Sequence, residues 1–159
     1  MTGNPHALAA RISRHLHDVE QVVHHSEEVN REAIKRDDKI YFEALALNLH
    51  SFYLGVERIF EDIARTIDQE IPAGSDWHRL LLQQMASDMP PVRPAIISET
   101  TYHCLDEFRR FRHVIRHGYT THLKIKSVKE LATSLHDCFT AVHQDLNNFI
   151  EFLHQLAND

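Results

Sequence analysis

From Val128 to Leu156 the apolar side chains recur at spacings of three and four without interruption: Val128, Leu131, Leu135, Cys138, Val142, Leu146, Phe149, Leu153 and Leu156. A helix buried along one face produces that rhythm, whereas a strand alternates every second residue. A long one-sided helix must lie against others of similar length, and the sequence supplies them. Leu8, Ile12, Leu16, Val19, Val23 and Val29 keep helical spacing and predict a first helix over residues 5–35, capped by Asn4 with Pro5 in its first turn. After a break at Arg36-Asp37-Asp38, where either aspartate can cap, Tyr41, Leu45, Asn48/Leu49, Phe52, Val56, Ile59, Ile63 and Ile67 form a second seam, to about Asp68.

A loop from Ile71 to Asp76 ends in capping residues and leads to a short amphipathic helix, Trp77 to Met89, stopped by Pro90, Pro91 and Pro94. Ser98 can cap a third long helix through Tyr102, Leu105 and Phe108, which Gly118 ends or bends. Tyr119 to Lys126 reads as a connector, and Ser127-Val128-Lys129-Glu130 as a capping box opening the last helix. With only four glycines and five prolines few loops are available. No strand-like alternation occurs. The expected fold is all-α: an antiparallel four-helix up-and-down bundle with a short extra helix before helix three, one domain over residues 1–159.

Composition excludes several classes. Hydrophobic residues at 43% and charged residues at 25% are ordinary globular values. No apolar run reaches the roughly 20 residues needed to span a bilayer, and the N-terminus lacks a signal-peptide layout. Cys104 and Cys138 sit inside helical patterns without ligand spacing, and read as reduced core-facing thiols of a cytoplasmic protein. The net charge of −6 is uneven. Arg109 to Lys129 hold seven Lys/Arg and no Asp/Glu, while the rest of the chain holds ten against 23 acids. Such a basic field suits a polyanion or acidic partner, or else pairs with the protein's own acids.

That field is densest in Leu105–Tyr119, LDEFRRFRHVIRHGY, where four arginines and two histidines fall within nine residues. On a helix Leu105, Phe108, Ile115 and Tyr119 share a stripe, and Arg112 lies on it. Arg116, Arg109, His113 and His117 follow round the surface. A guanidinium keeps its charge and is costly to bury unpaired, so Arg112 should face an anion, internal or visiting.

The 14 histidines invite a metal reading. His113 and His117 have i,i+4 ligand spacing, but stand among arginines, and Glu151-x-x-His154 lacks the second such element a di-iron bundle needs. Neither a Gly-rich phosphate loop nor a G-x-S-x-G or H-E-x-x-H motif is present. The Arg112/His117 pair does have a consistent use in metal-free RNA cleavage. One group must take the ribose 2′-hydroxyl proton and another must protonate the leaving 5′-oxygen, while fixed positive charge holds the phosphorane. Imidazole suits the proton transfers and guanidinium the charge. One helix offers one catalytic histidine, so an acid–base pair suggests two copies meeting about a two-fold axis. Pairing of Arg112 with an acid on another helix is the equal alternative from the residues alone.

Arg112-x4-His117-Gly118-Tyr119 on a third long helix resembles the HEPN superfamily, and more narrowly the Arg-x4-His-x-Tyr signature of its HepT branch, toxins paired with minimal nucleotidyltransferase antitoxins of the MntA type. The Trp77-His78-Arg79-Leu80-Leu81 block, the Arg93-Pro94 turn and Phe108-Arg109-Arg110-Phe111-Arg112-His113 are similar to the same proteins, so the likeness covers roughly residues 39–157. It implies a metal-independent endoribonuclease acting on RNA as a homodimer, with Arg112 and His117 catalytic and His113 supporting. It implies no cofactor for the nuclease. Tyr119 would accept AMP from the partner antitoxin, which uses ATP and Mg, and Arg109, Arg110 and Arg116 would track RNA phosphates. A non-catalytic subunit that docks a nucleotidyltransferase and, with less support, a metal-binding bundle are the alternatives.

Overall fold

The computed structural model describes residues 3–117 and 124–159, with the side chains of Arg116 and His117 outside the description. Five α-helices account for most of it: α1 (Pro5–Arg36), α2 (Lys39–Ile63), α3 (Trp77–Met85), α4 (Glu99–His117) and α5 (Ile125–Asn158). Among the described residues there is no strand, only an isolated bridge between Met89 and Arg93. The all-α expectation holds.

Local chemistry sets the helix ends. Asn4 Oδ1 accepts from the His6 and Ala7 amides at 2.9 and 3.4 Å, and Pro5 fills the first turn, where its missing N–H costs nothing. Asp37 ends α1 in the left-handed region at φ 49°, and Asp38 caps α2 by accepting from the Ile40 amide at 3.0 Å. Ser98 Oγ accepts from the Thr101 amide at the head of α4. Two expected caps fail. Asp76 precedes α3 without bonding its amides, because its carboxylate takes Arg79 at 2.6 Å instead. The Ser127–Glu130 box lies inside α5, which starts at Ile125; there Glu130 faces Lys126 one turn back at 3.9 Å. The short helix α3 also stops earlier than expected, at Met85 rather than Met89.

The second seam continues past α2 through a π-helical turn, Ala64–Asp68, that keeps Ala64 and Ile67 buried. α1 packs on α2 and α5, α2 on α4 and α5, and α4 on α5. The core they share is built from the predicted seams, with Leu8, Ile12, Leu45, Leu49, Phe52, Val56, Leu105, Phe108, Val142, Leu146 and Leu153 all essentially inaccessible. Fully burying one such side chain stabilises by about 1.5–3 kcal/mol. Phe111, off the predicted α4 stripe, is buried as well. Gly55 marks a close approach, since a Cβ there would stand 2.8 Å from Val19 Cγ2.

Two cross-links were not legible in the sequence. Cys104 on α4 and Cys138 on α5 form a disulfide, their Cα atoms 5.8 Å apart, which corrects the reading of two reduced thiols. Facing positions on packed helices bring together residues 34 apart in the chain. The segment between α3 and α4 is held by a wholly buried ion pair. Arg93 Nε and Nη2 donate to the two oxygens of Asp68 at 2.6 and 2.7 Å, with neither side chain accessible to solvent. The remaining guanidinium donors reach the Ser87, Pro94 and Gln84 carbonyls, and Gln84 Nε2 adds a 2.7 Å bond to Asp68. Such a fork-to-carboxylate pair is stable in the interior because nearly all its polar atoms are satisfied.

Candidate functional site

The turn of Gly74, Ser75 and Asp76, the head of α3 (Trp77, His78, Arg79) and α4 (Arg109, Arg112, His113) line a cleft of about 490 Å³. Gly74, at φ 95°, takes a turn that a side chain would strain. That turn delivers Trp77 and His78 to the head of α3. The rings of these two residues lie 3.6 Å apart between centroids and tilted by 34°.

Arg112 is half-buried where the apolar stripe of α4 meets the cleft. Leu105 and Phe108 on the same stripe are buried below it. The Arg112 Nε is shielded from solvent and has no hydrogen-bond partner among the described residues, and Arg112 makes no ion pair among them. The internal carboxylate that could have claimed it is otherwise engaged. Glu57 on α2, only 3% exposed, is bonded through Oε2 to His78 Nδ1 at 2.7 Å. Burial pushes the Glu57 carboxyl above its ordinary range, against the His78 hydrogen bond and the charges of His78 and Arg112, which pull it down. Tyr53, one turn earlier on α2, is buried too. Desolvation and the Glu57 charge drive its phenol upward against Arg109 and Arg112, so it stays neutral.

The other predicted cations divide. Arg109 Nε donates to Asp106 Oδ1 at 2.7 Å, and Arg110 reaches Asp106 Oδ2 at 2.8 Å, one turn back on the same helix. Both arginines therefore share one carboxylate of their own helix, which offsets one of their two charges. Arg109 nonetheless lines the cleft, while the Arg110 side chain is largely in solvent. His113 is exposed on the cleft wall. The side chains of Arg116 and His117, and all of Tyr119, lie outside the described residues. Among the described residues no three His, Cys, Asp or Glu side chains gather as a cation site, and no helix is long and apolar enough to cross a membrane.

Sequence reasoning missed Glu57, His78 and Asp106 as parts of this site. Glu57 sits beside the Val56 seam position, where helical spacing alone does not separate a rim residue from a buried one. His78 was visible only as part of a resembling block. An acid three residues before Arg109 and four before Arg110 was the one available signal, since i,i+3 and i,i+4 pairs meet on a helix.

A family model described as HepT-like protein matches residues 44–153. That is more than half of the chain and includes α3, α4 and most of α2 and α5, so the chain belongs to this family. No curated protein and no solved structure matches it.

Proposed function

Taking the chain as a HepT-like protein, we propose that it is a metal-independent endoribonuclease toxin of a type VII-like toxin–antitoxin pair, acting in the cytoplasm and silenced by AMPylation. Its body is then one domain, an antiparallel four-helix up-and-down bundle carrying α3 as the extra helix. Contacts at the helix ends support that arrangement: Arg11 of α1 bonds Asp62 of α2 at 2.8 Å, the rings of His6 and His154 stack edge-on 5.3 Å apart, and the Ser98 amide donates to Asp145 of α5.

One observation carries the activity. The Arg112 guanidinium stands in the cleft with a shielded, unpartnered Nε, while the carboxylates around it are bonded elsewhere: Glu57 to His78, Asp106 to Arg109 and Arg110, and Asp76 to Arg79. A fixed cation with no ion pair among the described residues suits a phosphate that visits, and most of all the extra charge of a phosphorane. In this reading His117 takes the 2′-hydroxyl proton and His113 supports it. Two copies of the chain pair their motifs in a homodimer. Arg109, Arg110 and Arg116 track the RNA backbone, the first two in competition with Asp106. The nuclease needs no cofactor. A minimal nucleotidyltransferase antitoxin of the MntA type, using ATP and Mg, would add AMP to Tyr119. Bulk and negative charge would then compete with RNA for Arg112 and His117.

The test is cleavage of RNA in EDTA, expected to leave 2′,3′-cyclic phosphate ends and to vanish in Arg112→Ala and His117→Ala. Wild type and variants that behave alike would leave a non-catalytic docking subunit for the nucleotidyltransferase.

A further inference from the structure

A single protomer already brings a second imidazole to the cleft. We propose that His78, oriented by Glu57, is the general acid of the cleavage reaction, delivering its proton through Nε2 to the leaving 5′-oxygen within the same chain that supplies Arg112; this rests on the ribonuclease reading above.

Three observations converge on His78. Its ring is held twice, by the 2.7 Å hydrogen bond between Nδ1 and Glu57 Oε2 and by contact with the tilted Trp77 ring, 3.6 Å away between centroids. The residue lines the cleft together with Arg112 and Arg109, and Nε2 makes no hydrogen bond to a described residue. Finally, the Glu57 side chain is only 4% accessible and that of His78 13%. With Nδ1 engaged by Glu57, Nε2 is the ring nitrogen left to face a phosphodiester in the cleft. Orientation of an imidazole by a buried carboxylate on Nδ1 is how a proton-transfer histidine is kept in a productive tautomer and pose.

The step balances without a further reagent. The ribose 2′-oxygen bonds to phosphorus as its proton passes to the base, His117. The P–O5′ bond then breaks as His78 Nε2–H passes its proton to O5′. The products are a 2′,3′-cyclic phosphate and a 5′-hydroxyl, and the His78–Glu57 pair recovers its proton from solvent.

A leaving-group substitution tests the assignment. An acid matters when the leaving group is a poor one, such as a ribose 5′-alkoxide, and little when it is p-nitrophenolate. His78→Ala should lower kcat on an RNA dinucleotide by about 10²–10⁴-fold with KM little changed. On uridine 3′-(p-nitrophenyl phosphate) it should fall by less than tenfold. Glu57→Gln, close in shape to the native residue, should show the same pattern in weaker form. It decides the matter if His78→Ala does not fold, as judged by far-UV circular dichroism. Equal losses on both substrates, or no loss on either, would overturn the role of His78 while leaving Arg112-dependent cleavage intact. If wild type fails to cleave RNA at all, or Arg112→Ala cleaves as well as wild type, the ribonuclease reading falls and this assignment with it.

Discussion

Replacing Arg93 by methionine should cost this protein a large share of its stability. The substitution keeps an unbranched side chain of similar reach, so little volume is lost, but it strips two donors at 2.6 and 2.7 Å from an Asp68 carboxylate that solvent cannot reach. Among the described residues, only Gln84 Nε2 would remain bonded to it. Breaking a buried pair by removing one partner typically costs about 3–5 kcal/mol, against a total stability of roughly 5–15 kcal/mol for a domain. At about 2–4 °C per kcal/mol for a chain of this size, Tm should fall by roughly 6–20 °C. Thermal melts followed by circular dichroism, with urea titrations for the free energy, measure this. Removing the acid too, in Arg93→Met/Asp68→Leu, should recover much of the loss, because no buried charge is left behind. Arg93→Lys should not, since an ammonium cannot reproduce the two-pronged geometry. A fall of less than 1 kcal/mol in the single variant, or a double variant as unstable as the sum of its parts, would refute the reasoning. The pair also tethers the segment running from α3 to α4, so cleavage should weaken in Arg93→Met at temperatures well below its melt.

Reduction of Cys104–Cys138 reopens a loop of 34 residues, and chain-entropy arguments put the loss at about 3–4 kcal/mol; melts with and without dithiothreitol check it, and an unchanged Tm would count against the cross-link. Asp62 is held below its ordinary range: burial pushes its carboxyl up, but the Arg11 hydrogen bond and charge, with Thr66, outweigh that. Its contribution is therefore full above the unfolded value of 3.8 and is lost as pH falls through the lower folded one. Asp62→Asn should cost up to about 1 kcal/mol at pH 7 and progressively less in melts run from pH 5 down to pH 2. Intact-mass spectra after co-expression with a minimal nucleotidyltransferase should show whole AMP increments that Tyr119→Phe removes; an unmodified wild-type mass would refute that part of the proposal.

The helices were legible because each seam repeats many times, so one misread residue cannot move an element. Asn4-Pro5 and Asp38 worked as caps because nothing in the tertiary structure competed for them. The failures have separate local causes. Asp76 was diverted by Arg79, and the Ser127 box was overrun by a helix that begins two residues earlier. In the site, α4 announced Arg112 through the conflict between its charge and the apolar stripe. Glu57 and His78 carry no such signal. They are 21 residues apart, and only the docking of α3 on α2 turns an ordinary acid and an ordinary histidine into a bonded pair. Cys104 and Cys138 met in the same way, through packing that no local pattern records.

The position of Asp106 has a consequence for how the protein should respond to ionic strength. By pairing with Arg109 and Arg110, the one Asp106 carboxylate offsets one of their two charges and so removes about one cation from the count that can displace counterions from RNA. Each phosphate neutralised on a single strand contributes a slope of about 0.7 to the fall of log affinity with log salt. The slope should accordingly fall about 0.7 short of what the run of arginines on α4 suggests, and should steepen by about that much in Asp106→Asn, where the offset charge is restored.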